Sequence, residues 1–187
     1  MTASDWKQRL DAWRDNGDFL TLLPEVAGLD GVSQAVEFHA EGDALVHTLL
    51  AVEAVSADAD ERVFWAVLLH DIGKAQTTRF IDGRWRSHGH ANQGALLVPP
   101  ILERLNLTHL AADVTWLVKH HHFIFSWGDS VKNGLTPRQR KFCRHALFSL
   151  LVQVCRADAA ASLGKSCKGT LLELLLKQLE TTAKDNL

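Results

Sequence analysis

Cysteine, long apolar runs and net charge are all scarce in this 187-residue sequence, and each shortage excludes a class of protein. The three cysteines, Cys143, Cys155 and Cys167, never form a Cys-x-x-Cys motif, which disfavours a thiolate metal site and is typical of reduced thiols in a cytoplasmic protein. No apolar run approaches membrane-spanning length, and the N-terminus is polar, so we expect neither a membrane partner nor a signal peptide. The net charge of -2 provides no overall positive field, and we expect no DNA partner.

The residues that are present suit one soluble domain. Hydrophobic residues make up 47% of the chain and charged residues 22%, which is enough apolar material for a real core. Apolar residues recur at helical spacing, and no repeat, linker or compositional step divides the chain. We therefore predict a single, mostly helical domain. Its parts are an N-terminal helix in residues 1–20, a core over residues 21–165 and a C-terminal helix over residues 166–187.

Capping residues, glycines and prolines predict where the helices begin and end. The predicted caps or first residues, in chain order, are Ser4 or Asp5, Asp43, Asp58 or Asp60, Ala91, Thr108, Thr136 and Thr170. The adjacent Pro99 and Pro100 should break or kink the helix in which they lie. We predict a loop over residues 123–135 and one long helix over residues 136–162.

One segment departs from the helical pattern. Residues 78–86 place Asp82-Gly83 between two short alternating segments, which predicts a small β-hairpin. It is the only strand pair that the sequence predicts, so the expected fold class is all-α with one small hairpin.

The chain is organised around an apolar run, Val63 to Leu69, that ends in His70-Asp71. A buried charge without a partner is costly, so this pair is an unusual end for a core helix. Imidazole nitrogen and carboxylate oxygen are, however, both ligands for divalent ions. Other ionisable residues also lie on apolar helices or at their ends, namely Asp43, His47, His88, His90, His120, His121, His122 and Asp158.

Taken singly, these residues have ordinary structural explanations. A histidine inside an apolar stripe, such as His47, is often satisfied by a backbone carbonyl. Asp158, alone among alanines, could cap a helix or pair with Arg156 or Lys165.

Taken together, the same residues predict a metal centre. His47, His70-Asp71 and Asp158 offer four nitrogen or oxygen ligands from three helices, which is most of the shell of one divalent ion. His90 with one or two of residues 120–122 would allow a second ion. A bridging Asp71 carboxylate would let both ions hold a phosphate and generate hydroxide near neutral pH. The set contains no cysteine, so Mg, Mn, Fe, Ni, Co and Zn all stay open.

Four basic residues provide positive charge near this centre, and they are Lys74, Arg79, Arg84 and Arg86. Lys74, four residues after His70, either neutralises a phosphate oxygen or offsets a helix dipole. The arginines either hold a phosphate or nucleotide backbone, or form a solvated face of the hairpin. Trp85 and Trp127 either stack on a base or pack in the core.

The ordered set His47, His70-Asp71 and Asp158 resembles the signature of the HD superfamily of metal-dependent phosphohydrolases. A closer similarity, over about residues 20 to 165, is to the C-terminal HD domain of bacterial CCA-adding tRNA nucleotidyltransferases. The similar motifs lie at residues 22–25, 31–34, 39–49, 69–74, 82–84, 88–90, 94–95, 116–121 and 156–158. The resemblance implies a single HD-domain helical bundle with one small β-hairpin insertion.

The resemblance also implies roles for particular residues. The implied metal ligands are His47, His70, Asp71 and Asp158. In two-metal relatives, histidines of the middle helices bind as well, and His90 and His121 occupy those places, with His120 a rival to His121. Asp43 lies where some relatives supply an extra carboxylate. An imidazole exchanges protons near neutral pH, so His90 and His121, with Asp71, are the predicted catalytic residues.

We therefore expect a cytoplasmic phosphohydrolase with one or two divalent metal ions. It should hydrolyse a phosphomonoester or phosphodiester of a small molecule, a nucleotide or an RNA end, as a 2′,3′-cyclic phosphodiesterase or phosphatase does. The alternative is a non-catalytic HD module that binds tRNA or a nucleotide, or that regulates a partner. No Gly-Ser segment with a paired-aspartate motif precedes the HD region, so the resemblance does not extend to tRNA tailing. The oligomeric state, monomer or homodimer, stays open.

Overall fold

A computed structural model describes residues 1–184 of the chain. Helices dominate this part, and its one sheet is a two-stranded antiparallel hairpin, which confirms the predicted all-α class with a small β-hairpin. None of the described helices has the length and hydropathy needed to cross a membrane. The prediction of a C-terminal helix to residue 187 extends past the described residues, in which that helix reaches Lys184.

The helices and strands follow one another with short connections. In chain order the elements are α1 Ala3–Asn16, α2 Phe19–Leu22, α3 Pro24–Ala27, α4 Ala44–Ala54, α5 Glu61–Leu69, α6 Lys74–Thr77, β1 Arg79–Ile81, β2 Arg84–Arg86, α7 His90–Arg104, α8 Ala111–His120, α9 Gly128–Asn133, α10 Pro137–Cys143, α11 Phe148–Ala161 and α12 Lys168–Lys184. Single 3₁₀ turns, Thr108–Leu110 and Phe123–Trp127, precede α8 and α9.

Three of the seven predicted caps or first residues are confirmed, while α7 begins at His90 and α12 at Lys168, one and two residues before the predicted positions. The Asp43 and Asp60 side chains cap α4 and α5, and Thr136 forms a capping box with Gln139 at the start of α10. The prediction for α1 was wrong, because Thr2 is its cap and Asp5 is the reciprocal partner of Thr2 in a capping box. Thr108 begins a 3₁₀ turn and its side chain caps no helix.

Three predicted boundaries in the second half of the chain were wrong. The prolines Pro99 and Pro100 lie inside the continuous helix α7, and both face solvent on the side opposite the buried Val98. Their exposure leaves packing of the buried face intact, and that packing holds the helix together although two backbone N–H donors are missing. The expected loop over residues 123–135 contains a 3₁₀ turn and α9.

The predicted long helix over residues 136–162 is instead two helices, α10 and α11. Between them, His145 stacks flat on Trp116 of α8, with ring centroids 4.1 Å apart and an interplanar angle of 6°. The His145 ring nitrogen Nδ1 also accepts a hydrogen bond from the backbone N–H of Leu147. These contacts hold the chain in a turn where the sequence pattern predicts continued helix.

Helix α5 is the centre of the fold. All seven residues from Val63 to Leu69 are buried, and α5 packs against α4, α8 and α11, while α7 packs along α8. The hairpin strands pair Arg79 with Arg86 around a turn in which Asp82 and Gly83 have the positive φ angles of a two-residue hairpin loop. Because α5 is enclosed on all sides, the residues that follow it, His70 and Asp71, lie in the interior of the domain.

A glycine lets α7 approach the end of α5 closely. A Cβ atom on Gly73 would lie 2.1 Å from the backbone oxygen of His90 and 2.7 Å from the nitrogen of Gly94. Any side chain at this position would push α7 away, so Gly73 sets the distance between Asp71 and the first residue of α7.

Candidate metal centre

The structure brings His47, His70, Asp71 and Asp158 together in the interior, although they come from three separate parts of the chain. His70 Nε2 lies 3.2 Å from Asp71 Oδ2, and His47 Nε2 lies 3.3 Å from Asp158 Oδ1 and 3.9 Å from Asp71 Oδ2. All four side chains are buried. We call these four residues the inner half of the centre.

Three further histidines form an outer half, which consists of His90, His121 and His122. His90 is the first residue of α7, and His121 follows the last residue of α8. Their Nε2 atoms are 3.2 Å apart and lie 3.4 Å and 3.9 Å, respectively, from Asp71 Oδ1. The His122 ring is 4.6 Å from the His90 ring. Asp71 therefore presents one carboxylate oxygen to each half.

The backbone and one carboxylate fix the orientation of four of these imidazoles. The Nδ1 acceptors and distances are Glu41 Oε1 at 2.6 Å for His47, Val67 O at 2.6 Å for His70, Ser87 O at 2.8 Å for His90 and Val118 O at 2.6 Å for His121. An oxygen acceptor requires the proton on Nδ1, so in the neutral ring Nε2 carries the free lone pair. Each Nε2 lone pair is thus directed at the centre, as in histidine metal ligands.

These rings are neutral near pH 7. Burial lowers the pKa of each of the four, to about 4 for His90. Burial alone would raise the pKa of Asp71, but the ammonium group of Lys74, 2.6 Å from Asp71 Oδ2, holds that pKa well below its usual range, so Asp71 is ionised. The centre is therefore a cluster of lone pairs around a carboxylate.

Such a cluster fits a divalent cation. Among the described residues, none gives a hydrogen bond to His47 Nε2, His70 Nε2 or Asp71 Oδ1. His90 Nε2 and His121 Nε2 face each other at 3.2 Å with no proton between them. Buried acceptors without donors are unfavourable, and a cation bound among them would remove the penalty. The ligand atoms of His47, His70 and Asp71 in the inner half, and those of the three outer histidines, are close enough to share an ion.

Lys74 belongs to this centre. Its side chain is buried, and Nζ lies 2.6 Å from Asp71 Oδ2 and donates a hydrogen bond to Gln34 Oε1 at 2.5 Å. The basic group predicted from its spacing after His70 therefore contacts the central carboxylate directly.

Two predicted candidates lie elsewhere. The Asp43 carboxylate accepts hydrogen bonds from the backbone N–H groups of Val46 and Gly31, each at 2.9 Å, and so caps α4 and is turned away from the centre. His120 is half-buried, with its ring 4.7 Å from that of Trp116. Of the two rivals at the end of α8, His121 is the one that faces Asp71.

Sequence reasoning missed two residues that hold the inner half together. Glu41 accepts from His47 and also lies 2.8 Å from His39 Nδ1, and its second oxygen accepts from the backbone N–H of Leu163 at 3.1 Å. Glu41 was visible as part of the quoted motif over residues 39–49, although nothing in its spacing predicted contact with His47. Lys168, the first residue of α12, is buried and forms an ion pair with Asp158 Oδ2. No local pattern predicted this contact, because it depends on how α12 packs against α11.

The loop that carries Glu41 is fastened to the end of α11. Besides the bond from Leu163 to Glu41, the backbone N–H of Lys165 donates to the carbonyl of Glu37 at 2.7 Å. A Cβ atom on Gly164 would lie 2.4 Å from the carbonyl carbon of Phe38. The Glu41 loop and residues 163–165 are thus in direct backbone contact.

Two cavities open beside the centre. The basic cavity, about 430 Å³, is lined by Lys74, Arg84 and Arg86 together with Gln34, Ala35, Phe38, His39, Trp85, Ser87, His88, Gly89, His90, Ala91 and His122. The aromatic cavity, about 380 Å³, is lined by Phe38, His39, His122, Phe125, Asp158, Ser162, Ser166, Cys167 and Lys168. The hairpin thus contributes two of its three arginines to a cavity wall. The third, Arg79, is exposed and hydrogen-bonds to the carbonyl of Thr78.

The two tryptophans raised as stacking candidates differ. Trp127 packs against Phe123 and Phe142 in the interior, which supports the core interpretation. Trp85 lies on the hairpin, is 39% exposed and lines the basic cavity.

Comparison with known proteins gives consistent matches. The profile described as "HD domain" matches residues 29–161. Proteins named "Multifunctional CCA protein" from Alkalilimnicola ehrlichii, Psychromonas ingrahamii and Neisseria gonorrhoeae are 35%, 33% and 31% identical to this chain over 156, 157 and 166 residues. These matches cover 81%, 81% and 85% of the chain. The chain spans only 37%, 38% and 40% of the length of these relatives.

Proposed function

We propose, from the premise that this chain belongs to the HD domain family, that it is a metal-dependent phosphohydrolase acting on a phosphoester of a nucleotide or an RNA end. HD domains form a superfamily of metal-dependent hydrolases, and this broader assignment agrees with the chemistry of the centre. The observation that carries the proposal is the convergence of four neutral imidazoles, each with its Nε2 atom within 3.9 Å of the buried Asp71 carboxylate.

The donor set fits one or two divalent ions. In the inner half His47, His70, Asp71 and Asp158 would hold one ion, and in the outer half Asp71 and two histidines would hold a second. When bound, such an ion stabilises negative charge on a phosphate and lowers the pKa of a water molecule that attacks phosphorus. The mixed nitrogen and oxygen ligands suit Mg, Mn, Fe, Ni, Co or Zn.

The side chains around the ligands would bind and neutralise the substrate. Lys74 forms an ion pair with Asp71 and lines the basic cavity. Its ammonium group is therefore placed to donate a hydrogen bond to a phosphate oxygen. Arg84 and Arg86 add positive charge to the same wall. Because His90 and His121 direct Nε2 at Asp71, we propose that they act by holding an ion and that they do not transfer the proton to the leaving group.

The choice of a nucleotide or RNA end rests on two observations. The relatives are named multifunctional CCA proteins, and the motifs resemble the HD domain of CCA-adding tRNA nucleotidyltransferases. The cavities combine arginines with exposed aromatic rings, which suits phosphate and base together. A 2′,3′-cyclic phosphodiesterase or phosphatase activity is the form that we propose to test first.

The test is a metal-reconstitution assay. Protein purified without chelators or a His-tag is analysed for bound metals, then assayed for phosphoester hydrolysis of 2′,3′-cyclic nucleotides, nucleoside monophosphates and a generic diester. Each of Mg, Mn, Fe, Ni, Co and Zn is added in turn. We expect hydrolysis with at least one ion, loss of it in His70→Ala, and full activity in His109→Ala, which changes an exposed histidine outside the centre. Protein that binds no metal and stays inactive with every ion would contradict the proposal.

A further inference from the structure

We propose that the aromatic and basic cavities are two lobes of one substrate site, which takes the terminal nucleoside of an RNA in the aromatic lobe and its 5′-phosphate in the basic lobe. The substrate would then be an end of a nucleotide chain, preferred over a free nucleoside cyclic phosphate. This inference rests on the proposed function and narrows its substrate class.

The two cavities are adjacent and flank the metal centre. Phe38, His39 and His122 line both of them. The basic cavity reaches the centre through His90, and the aromatic cavity reaches it through Asp158. A phosphate held at the centre therefore has space on two sides, and a substrate with a single substituent would fill only one of them.

Each cavity also contains one buried lysine paired with one buried aspartate. Lys74 of the basic cavity pairs with Asp71, and Lys168 of the aromatic cavity pairs with Asp158. Cationic groups thus stand on both sides of the position proposed for the phosphate. An ion held by Asp71 and Asp158 would compete for their negative charge and leave both ammonium groups to an anion that extends between the cavities.

The walls of the aromatic cavity suit a nucleoside. Phe38 and Phe125 are large apolar residues that remain 44% and 42% exposed, and both lie on this wall. Any nucleobase can stack on such side chains, because every base has a flat aromatic face. The hydroxyl groups of Ser162 and Ser166 provide polar partners for ribose or base edges. The volume of about 380 Å³ lies within the 300–1,000 Å³ typical of small-ligand sites.

The walls of the basic cavity suit a second phosphate. No aspartate or glutamate lines it, and the buried Nε of Arg86 has no hydrogen-bond partner among the described residues. Some arginines elsewhere on the surface pair with carboxylates, for example Arg104 with Glu25 and Arg156 with Glu173. The arginines of the basic cavity, Arg84 and Arg86, have no such carboxylate and are free to pair with a phosphate.

The experiment compares two probes that differ by one group. Adenosine 2′,3′-cyclic phosphate occupies the aromatic lobe and the centre, and the same compound with a 5′-phosphate also reaches the basic lobe. We expect the 5′-phosphate to raise kcat/KM by about tenfold in the wild-type protein, as a charge-assisted contact should. In Arg84→Ala and Arg86→Ala the ratio of the two kcat/KM values should fall towards one. In Phe125→Ala both values should fall while their ratio is kept.

A control variant and three distinct negative results make the test decisive. Arg14→Ala removes an exposed arginine of α1 that lines neither cavity, and it should leave the ratio unchanged. Equal kcat/KM values for the two probes in the wild-type protein would overturn this inference and leave the phosphohydrolase proposal standing. An undiminished rate in Phe125→Ala would overturn the aromatic lobe. Absence of turnover of either probe, and of the simpler substrates tested above, would overturn the proposed function itself.

Discussion

The inner and outer halves of the centre both face the Asp71 carboxylate but are supported in different ways. The inner half is placed by packed helices: α4 and α11 lie against α5, and its side chains are enclosed by the core. The outer half is placed by helix ends, with His90 at the start of α7 and His121 just after α8. The outer half also borders both cavities, through His122. On the proposed function, the enclosed half would hold an ion firmly and the half at the helix ends would meet substrate.

The largest effect is expected at the residue that the two halves share. Asp71→Asn removes the charge that faces both halves and leaves Lys74 without its anionic partner. We expect loss of bound metal and a fall in activity of more than about 100-fold, since even second-shell changes cost 10–100-fold. Metal analysis and phosphate release measure these quantities. Asp129→Asn, on the exposed surface of α9, is the control and should change neither.

Single histidine variants should separate the halves. His70→Ala removes an inner ligand and should weaken the tightest metal binding by about 10–100-fold, whereas His121→Ala should leave that binding near normal and reduce catalysis. Metal titration by calorimetry, with kcat measured on the same samples, gives the two readings. Identical metal affinities in the two variants would show that the halves do not act separately.

Lys168→Met tests how the inner half is stabilised before an ion binds. The variant leaves the Asp158 carboxylate buried without its cation, so we expect metal-free protein to lose about 3 kcal/mol of unfolding free energy. Added metal should restore more stability to the variant than to the wild type, because the ion no longer competes with an ammonium group. Urea unfolding with and without metal measures the difference. A variant as stable as the wild type in the absence of metal would contradict the ion-pair role.

Gly73→Ala should disturb the outer half more than the inner half. The added Cβ would lie 2.1 Å from the backbone oxygen of His90, so α7 must move. We expect a loss of about 1–3 kcal/mol in unfolding free energy, the usual effect of overpacking, together with lower activity and retained binding of the tightest ion. Gly128→Ala is the matched control, since no atom lies within 4 Å of its added Cβ. Loss of the tightest ion in Gly73→Ala would mean that α7 also supports the inner half.

The smallest effect is expected far from both halves. Thr136→Ala removes the capping box of α10 and should lower the unfolding free energy by about 1 kcal/mol without changing metal affinity. Thermal unfolding and metal titration on the same protein check both parts. A change in metal affinity would mean that global stability, and not local geometry, controls the centre.

The sequence predicts well those features that are encoded locally. The apolar run from Val63 to Leu69 forms a buried helix, and the ionisable pair His70-Asp71 follows it directly. The helix and the candidate ligands could therefore be predicted from the same short segment. The caps of α4, α5 and α10 and the hairpin turn are local in the same sense. That these side chains bind metal stays a prediction until an ion is measured.

The sequence predicts less well those features that depend on packing between distant segments. The resemblance implied Asp43 as an extra carboxylate of the centre, but Asp43 precedes α4 and caps it, while Glu41 reaches His47 from the loop. The contact of Lys168 with Asp158 depends on the packing of α12. The two prolines of α7 are tolerated because their face of the helix is exposed, which no local rule reveals.

The fastening of the Glu41 loop to residues 163–165 has a consequence for synthesis on the ribosome. Glu41 orients His47, yet its own loop is held by Leu163 and Lys165, which are made more than a hundred residues later. A nascent chain that has already released His47, His70 and Asp71 therefore still lacks the residues that fasten the Glu41 loop. The last ligand, Asp158, and the segment that fixes the first one leave the exit tunnel almost together. The predicted ligand set is therefore complete only after residues 158–165 have been synthesised.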